Sequence, residues 1–311
     1  MRIIKPGTLK PLALLAGLVG LSLPDGAARA QETAQETAQE MAQETAGTVQ
    51  NVRAPALWTL PEVNMDAVRA GEAAMPAVLT GQMPAILTRD TETARRKRVF
   101  LRIVLPAVLR VNAEIRANRR FVERVAWLRV AGRTLDADAQ ARLGDLAARY
   151  RTAPGDLVTL RRRVDTLPPS LVLAQAAIES GWGRSRFAQQ GNALFGQRTY
   201  HCQDCGMIPK GYADDPGFRV TRFETVMGSV KAYLRNINTH QAYTDLRRYR
   251  QLARRAGAPL DPHRMARFLK AYSERGQDYI ADVRAVIDAN NLRDFDTARL
   301  DWHTQFAGVF R

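Results

Sequence analysis

The chain has 311 residues, 46% of them hydrophobic, enough for one or two globular domains with a full core. Its 46 Lys and Arg against 31 Asp and Glu leave a formal charge of +15, which favours anionic partners: nucleic acid, phospholipid headgroups or acidic cell-wall polymers. The cysteine pair Cys202 and Cys205 is too small for a closed zinc site unless His201 and another residue join it. No serine-histidine-aspartate, phosphate-loop or HExxH pattern occurs, so no metal and no cofactor is expected.

Residues 1–10 are basic, and Pro11 to Pro24 is apolar but short for a bilayer span. Ala28-Arg29-Ala30 fits a small-x-small cleavage site before Gln31. Residues 1–30 therefore read as a secretory signal peptide. Four cations and Asp25 leave with it, so the mature charge is about +12. Export to a periplasm or cell envelope removes nucleic acid as a partner and suits anionic envelope polymers. Membrane contact is expected only through the signal peptide, if it stays uncleaved. Gln31 to Ala46 repeats Gln-Glu-Thr-Ala and reads as a disordered tether. Val49 to Thr93, with Pro55, Pro61, Pro76 and Pro84, reads as a loosely packed arm, so 31–94 is tether and arm together.

The main domain is expected over 95–292. From Arg95, Phe100, Ile103, Val104, Val108, Val111 and Ile115 share one helical face, and Pro106 should kink or divide that helix. Its arginines, Arg102, Arg110, Arg116, Arg119 and Arg120, are either an electrostatic footprint for anionic glycan or a solvated basic face. Phe121 to Val130 continues the helix; Asp136 to Tyr150 makes another, capped by Thr134 or Asp136.

Pro168-Pro169 suits a helix start, with Ser170 as a cap. Leu171 to Ile178 is apolar except for Gln175, which predicts an enclosed helix ending at Gly181. Glu179 stands out in its last turn. Burial and the negative end of the helix dipole both disfavour its charge and push its pKa up. A carboxyl protonated near neutrality is what a general acid needs. Gln175, one turn earlier on the same face, can hydrogen-bond Glu179 or a substrate. The plainer reading is a surface glutamate at a helix end.

Gly196 to Arg222 is rich in glycine, with strands expected at Val220–Phe223 and Gly211–Ala213: a small β-hairpin lobe. In an oxidising compartment a local Cys202–Cys205 disulfide is expected over free thiols or a metal or redox role. Helices return over Thr225–Leu246, Asp261–Tyr272 and Gln277–Asn290, with Pro262 marking a start. His240 reads as a structural hydrogen-bonding residue. Residues 293–311 form a tail with Trp302 and Phe306.

Glu179-Ser180-Gly181-Trp182-Gly183, followed by Asn192-x-Leu194-Phe195-Gly196, resembles the glucosaminidase domain of glycoside hydrolase family 73 in the lysozyme-like superfamily. The run from Val164-Asp165 to Ala177 resembles the bacterial Bax subfamily within it, as do Asn236-x-Asn238-Thr239-His240-x-Ala242-Tyr243 and Tyr272-Ser273-x-Arg275-Gly276-x-x-Tyr279. The likeness runs from about 95 to about 292. It implies a mainly α, lysozyme-like fold whose β lobe closes over the sugar, and a hydrolase acting on peptidoglycan glycan strands.

Two carboxyl groups usually serve such hydrolysis. Glu179 is the candidate acid. Glu224 and Asp215 are equal candidates for the second group, unless the substrate's own N-acetyl group replaces it. Tyr279 matches a family tyrosine that faces the catalytic glutamate, or else is core; Tyr272 is the weaker candidate. Gln175, Trp182, Asn192, Phe195 and Tyr272 are candidate substrate-binding residues, although Asn192 also suits a turn cap and Trp182 and Phe195 also suit a core. The implied activity is an endo-β-N-acetylglucosaminidase. A lytic transglycosylase and a non-catalytic wall-binding protein are the alternatives.

Overall fold

The computed structural model describes residues 63–200, 202, 204–210 and 217–302. The signal peptide, the tether, the strand expected at 211–213, Asp215 and Phe306 lie outside the described residues. In chain order the elements are α1 (Met65–Ala70), β1 (Met75–Pro76), α2 (Ile86–Arg89), α3 (Thr93–Val130), α4 (Ala137–Arg149), α5 (Leu157–Arg163), α6 (Pro169–Ser180) and α7 (Arg186–Gly191). Then come β2 (Arg198–Thr199), β3 (Gly206–Met207), β4 (Arg219–Thr221), α8 (Val226–Thr239), α9 (Thr244–Arg255), α10 (Pro262–Ala266), α11 (Gln277–Ala289) and β5 (Leu300–Asp301). The architecture is mainly α with a small β lobe.

α3 is continuous through Pro106 and is not divided. Proline removes one helical hydrogen bond. Here Leu101 and every residue from Ile103 to Leu109 are buried, and α3 packs on α2, α5, α6 and α8. That burial outweighs the missing bond.

α6 is the enclosed helix the sequence predicts: every residue from Pro169 to Ala177 is buried. It lies among α3, α10, α11 and the 3-10 turn Leu292–Thr297. Ser170 is not its cap. Pro168 holds that position, and Ser170 donates its N–H (2.8 Å) and Oγ (2.9 Å) to the Asp296 carboxylate. An anion at a helix N-terminus meets the positive end of the dipole. Gly181 ends the helix at φ 58°, and its N–H reaches the carbonyls of Ala177 and Ile178.

Residues 63–94 are not a loose arm. Met65, Val68, Met75, Met83 and Leu87 belong to the main buried cluster. A Cβ on Gly183 would come within 2.6 Å of Met83 Cε and 2.8 Å of Leu87 Cδ1, so glycine lets this segment close against the end of α6. The tail docks too: β5 pairs in parallel with β1, Met75 opposite Leu300. The Trp302 ring lies 4.6 Å from the Arg110 guanidinium.

A buried ionic hub ties the α5–α6 junction to α3 and α9. Asp165 is contacted by Arg119 (3.2 Å), Arg254 (3.2 Å) and Arg250 (3.5 Å). Burial alone would raise its pKa; the three guanidiniums prevail and hold it below the usual value. Arg250, fully buried, also donates to the carbonyls of Asp165, Thr166 and Arg162. Arg119 of the basic set on α3 is thus structural, neither a glycan footprint nor a solvated charge.

The lobe is a three-stranded antiparallel sheet in the order β2-β4-β3, with Val220 between Arg198 and Met207. Cys202 and Cys205 are bonded to each other across this loop. The helix expected over Thr225–Leu246 breaks at His240, whose Nδ1 accepts from Ala242 N–H (3.2 Å) to cap the 3-10 turn Gln241–Tyr243. The segment expected as one helix over Asp261–Tyr272 is α10 followed by a 3-10 turn from Arg267 to Tyr272. Among the described residues no helix is long and apolar enough to cross a membrane.

Candidate active site

Glu179 is the penultimate residue of α6. Burial raises its pKa to about 7, against opposing contributions from the Tyr279 hydroxyl and the Arg275 guanidinium. Gly196, at φ 66°, lies beside it; a Cβ there would stand 3.5 Å from Glu179 Oε2. A side chain there would be strained by the left-handed backbone.

A buried chain of hydrogen bonds leads to Glu179. Tyr233 O–H donates to Gln175 Oε1. Gln175 Nε2 donates to Tyr279 Oη at 2.9 Å. The Tyr279 hydroxyl in turn donates to Glu179. Burial pushes the pKa values of Tyr233, Tyr272 and Tyr279 well above their ordinary range, so all three remain neutral phenols. Their rings support one another: Tyr279 stacks on Tyr272 (5.5 Å), Tyr272 meets Tyr233 edge-on (6.3 Å), and Tyr233 stacks on Phe195 (4.1 Å).

The structure therefore brings Glu179, Gln175 and Tyr279 together and places Tyr272 and Phe195 beneath them. Gln175 is fully buried and both ends of its amide are engaged, so it serves the glutamate's surroundings rather than a sugar. Phe195 is buried, and its carbonyl accepts the Tyr272 hydroxyl at 2.8 Å. Neither presents a sugar platform. Trp182 packs edge-on against Phe100 (5.5 Å), with Lys97 Nζ 4.9 Å from its ring, which is a structural contact. Asn192 is buried at φ 51°. Its Oδ1 accepts from Met83 N–H (3.0 Å), and its Nδ2 donates to the carbonyls of Gly81 (3.1 Å), Phe223 (3.0 Å) and Glu224 (3.1 Å). With both amide atoms engaged on backbone, it is a staple between loops and not a substrate ligand.

Glu224 is exposed, immediately before the α8 cap Thr225. Among the described residues, Arg275 is the charged side chain acting on Glu179, and no carboxylate contributes to its raised pKa. Tyr233 and Tyr243 also border the acid, since the Glu179 charge acts on both phenols. Sequence reasoning placed none of Tyr233, Tyr243 and Arg275 at the site, and considered Tyr243 only as a hydrogen-bond partner for His240. Tyr243 and Arg275 stood inside quoted motifs; Tyr233 carried no local signal beyond being a phenol on an apolar helix face. A separate cavity of about 360 Å³, lined by Arg129, Arg133, Leu135 and Leu143, shares no residue with this site. Among the described residues no His, Cys, Asp or Glu cluster is placed to hold a metal.

The fold is mainly α and lysozyme-like, with the Glu179 carboxyl held near pKa 7 among phenols at the end of a buried helix beside the β lobe. Residues 157–292 match the glucosaminidase family model, described as mannosyl-glycoprotein endo-beta-N-acetylglucosaminidase, and the findings support a Bax-like glucosaminidase-domain protein. It is similar to Protein bax of Escherichia coli (strain K12), 37% identical over 195 residues, which cover 59% of this chain and 66% of that protein. No solved structure matches the chain.

Proposed function

We propose that the chain is an exported peptidoglycan hydrolase, an endo-β-N-acetylglucosaminidase that cleaves β-1,4 bonds after N-acetylglucosamine. The observation that carries this reading is Glu179: a half-buried helix-end carboxyl with a pKa of about 7 and a phenol donor on it. Protonated Glu179 gives its proton to the glycosidic oxygen as the bond to the anomeric carbon breaks. The Tyr279 hydroxyl then stabilises the carboxylate as it forms, where charge develops in the transition state. Glu224, Asp215 or the substrate's N-acetyl group meets the positive anomeric carbon. Water adds, and Glu179 recovers its proton. The leader-like residues 1–30 and the mature charge of about +12 support an envelope location and contact with anionic envelope polymers.

A lytic transglycosylase is the second reading, favoured by the single carboxyl among the described residues at the site. Mass spectrometry of peptidoglycan digested by the purified chain separates the two. Reducing N-acetylglucosamine ends are expected; anhydromuramic ends would establish the second reading. Glu179→Gln should lower cleavage by roughly 10³-fold, the middle of the range for general acid catalysis. A correctly folded variant that cleaves at more than a tenth of the wild-type rate would remove Glu179 from the mechanism.

A further inference from the structure

The Tyr233 hydroxyl reaches Glu179 through hydrogen bonds only by way of Gln175 and Tyr279. It is fully buried and donates to Gln175, itself fully buried. An amide side chain has one acceptor end and one donor end. Because Tyr233 occupies the acceptor, Gln175 turns its N–H toward Tyr279. The Tyr279 oxygen then accepts a hydrogen bond from Gln175 and has its single O–H left for Glu179.

We propose that Tyr233 and Gln175 are positioning residues that set the direction of the whole relay, so that Tyr279 always donates to Glu179 and never accepts from it. The inference rests on Glu179 being the acid, but its physical content does not need catalysis. Without the Tyr233 hydroxyl, Gln175 loses the contact that fixes its orientation. A half-turn of the amide would place Oε1 against Tyr279, and Oε1 would compete with Glu179 for the one phenol proton. Glu179 would lose a bond that favours its ionised form.

Tyr233→Phe keeps the ring and its stack on Phe195 and deletes only the hydroxyl. The measurement is carbon-13 NMR titration of the Glu179 carboxyl in the full chain, with the pH–rate profile beside it. We expect the Glu179 pKa to rise by about one pH unit in Tyr233→Phe, the scale of one hydrogen bond. The alkaline limb of the rate profile should move up with it. Tyr279→Phe should raise the pKa similarly, and the double variant should show no more than Tyr279→Phe alone, because Tyr233 acts only through Tyr279. Gln175→Met, which fills the space without hydrogen bonds, is the second variant should Tyr233→Phe fail to fold. An unchanged Glu179 pKa, or effects that add in the double variant, would overturn the relay. If instead the NMR shift appears while Glu179→Gln retains wall cleavage, the relay stands and the assignment of Glu179 as the acid falls.

Discussion

Burial lifts the Glu179 pKa from its ordinary 4.5 to about 7, and the sign of the effect on stability follows from that. Below about pH 4.5 the carboxyl is protonated in both folded and unfolded chains and costs nothing. Between 4.5 and 7 the unfolded chain ionises it and the folded chain does not, so stability falls as pH rises. Above about 7 the cost is constant, on the order of 3 kcal/mol. Glutamine cannot ionise. Glu179→Gln should therefore gain stability over wild type progressively from pH 5 to pH 7.5, even as activity is lost. Thermal melts of both chains at those pH values check this; a gap that does not widen means that the carboxyl is not held protonated by burial.

At the scale of elements, Asn192 and His240 show how turns hold the helices in place. Asn192 joins the 81–83 loop, the end of α7 and the approach to α8. Asn192→Ala deletes those bonds and leaves alanine at φ 51°, so it should cost roughly 3 kcal/mol in urea denaturation. Asn192→Gly relieves the backbone but not the bonds, and should cost about 1 kcal/mol less. Equal costs would mean that the left-handed turn contributes nothing. His240 is pushed down to about 4 by burial and by Arg247 and Arg151. Its depressed pKa means that the unfolded chain gains a proton near 6.5 while the folded chain does not. Stability is therefore lost as pH falls from about 6.5 toward 4. His240→Asn keeps a cap acceptor and cannot titrate. Its melting temperature should drop less than that of wild type between pH 7 and pH 5.

At the scale of the molecule, the core extends beyond the family match on both sides. Met75, Met83 and Leu87 enter it before residue 157; Phe295 and the β1–β5 pairing close it after 292. Deleting residues 1–94 should therefore lower the melting temperature well below that of a chain lacking only 1–62, because several large apolar side chains leave the core. Equal melting by differential scanning calorimetry would show the 63–94 segment to be dispensable. Gly183 makes the same point from within: its missing Cβ is the space that Met83 and Leu87 fill.

What the sequence determined by itself was local. The enclosed helix ending at Gly181, the upward pull on Glu179, the Asp261–Pro262 helix start and the glycine-rich lobe all follow from caps, periodicity and charge within a few residues. The tertiary structure decided what depends on partners far along the chain. α3 runs unbroken through Pro106 because neighbouring helices bury it. Residues 63–94 dock because the end of α6 leaves a glycine-shaped gap for them. Gln175 serves Tyr279 rather than a sugar because Tyr233, 58 residues later, occupies its acceptor. A hydrogen-bond direction is a property of a closed network, and its members met only when α6, α8 and α11 packed together.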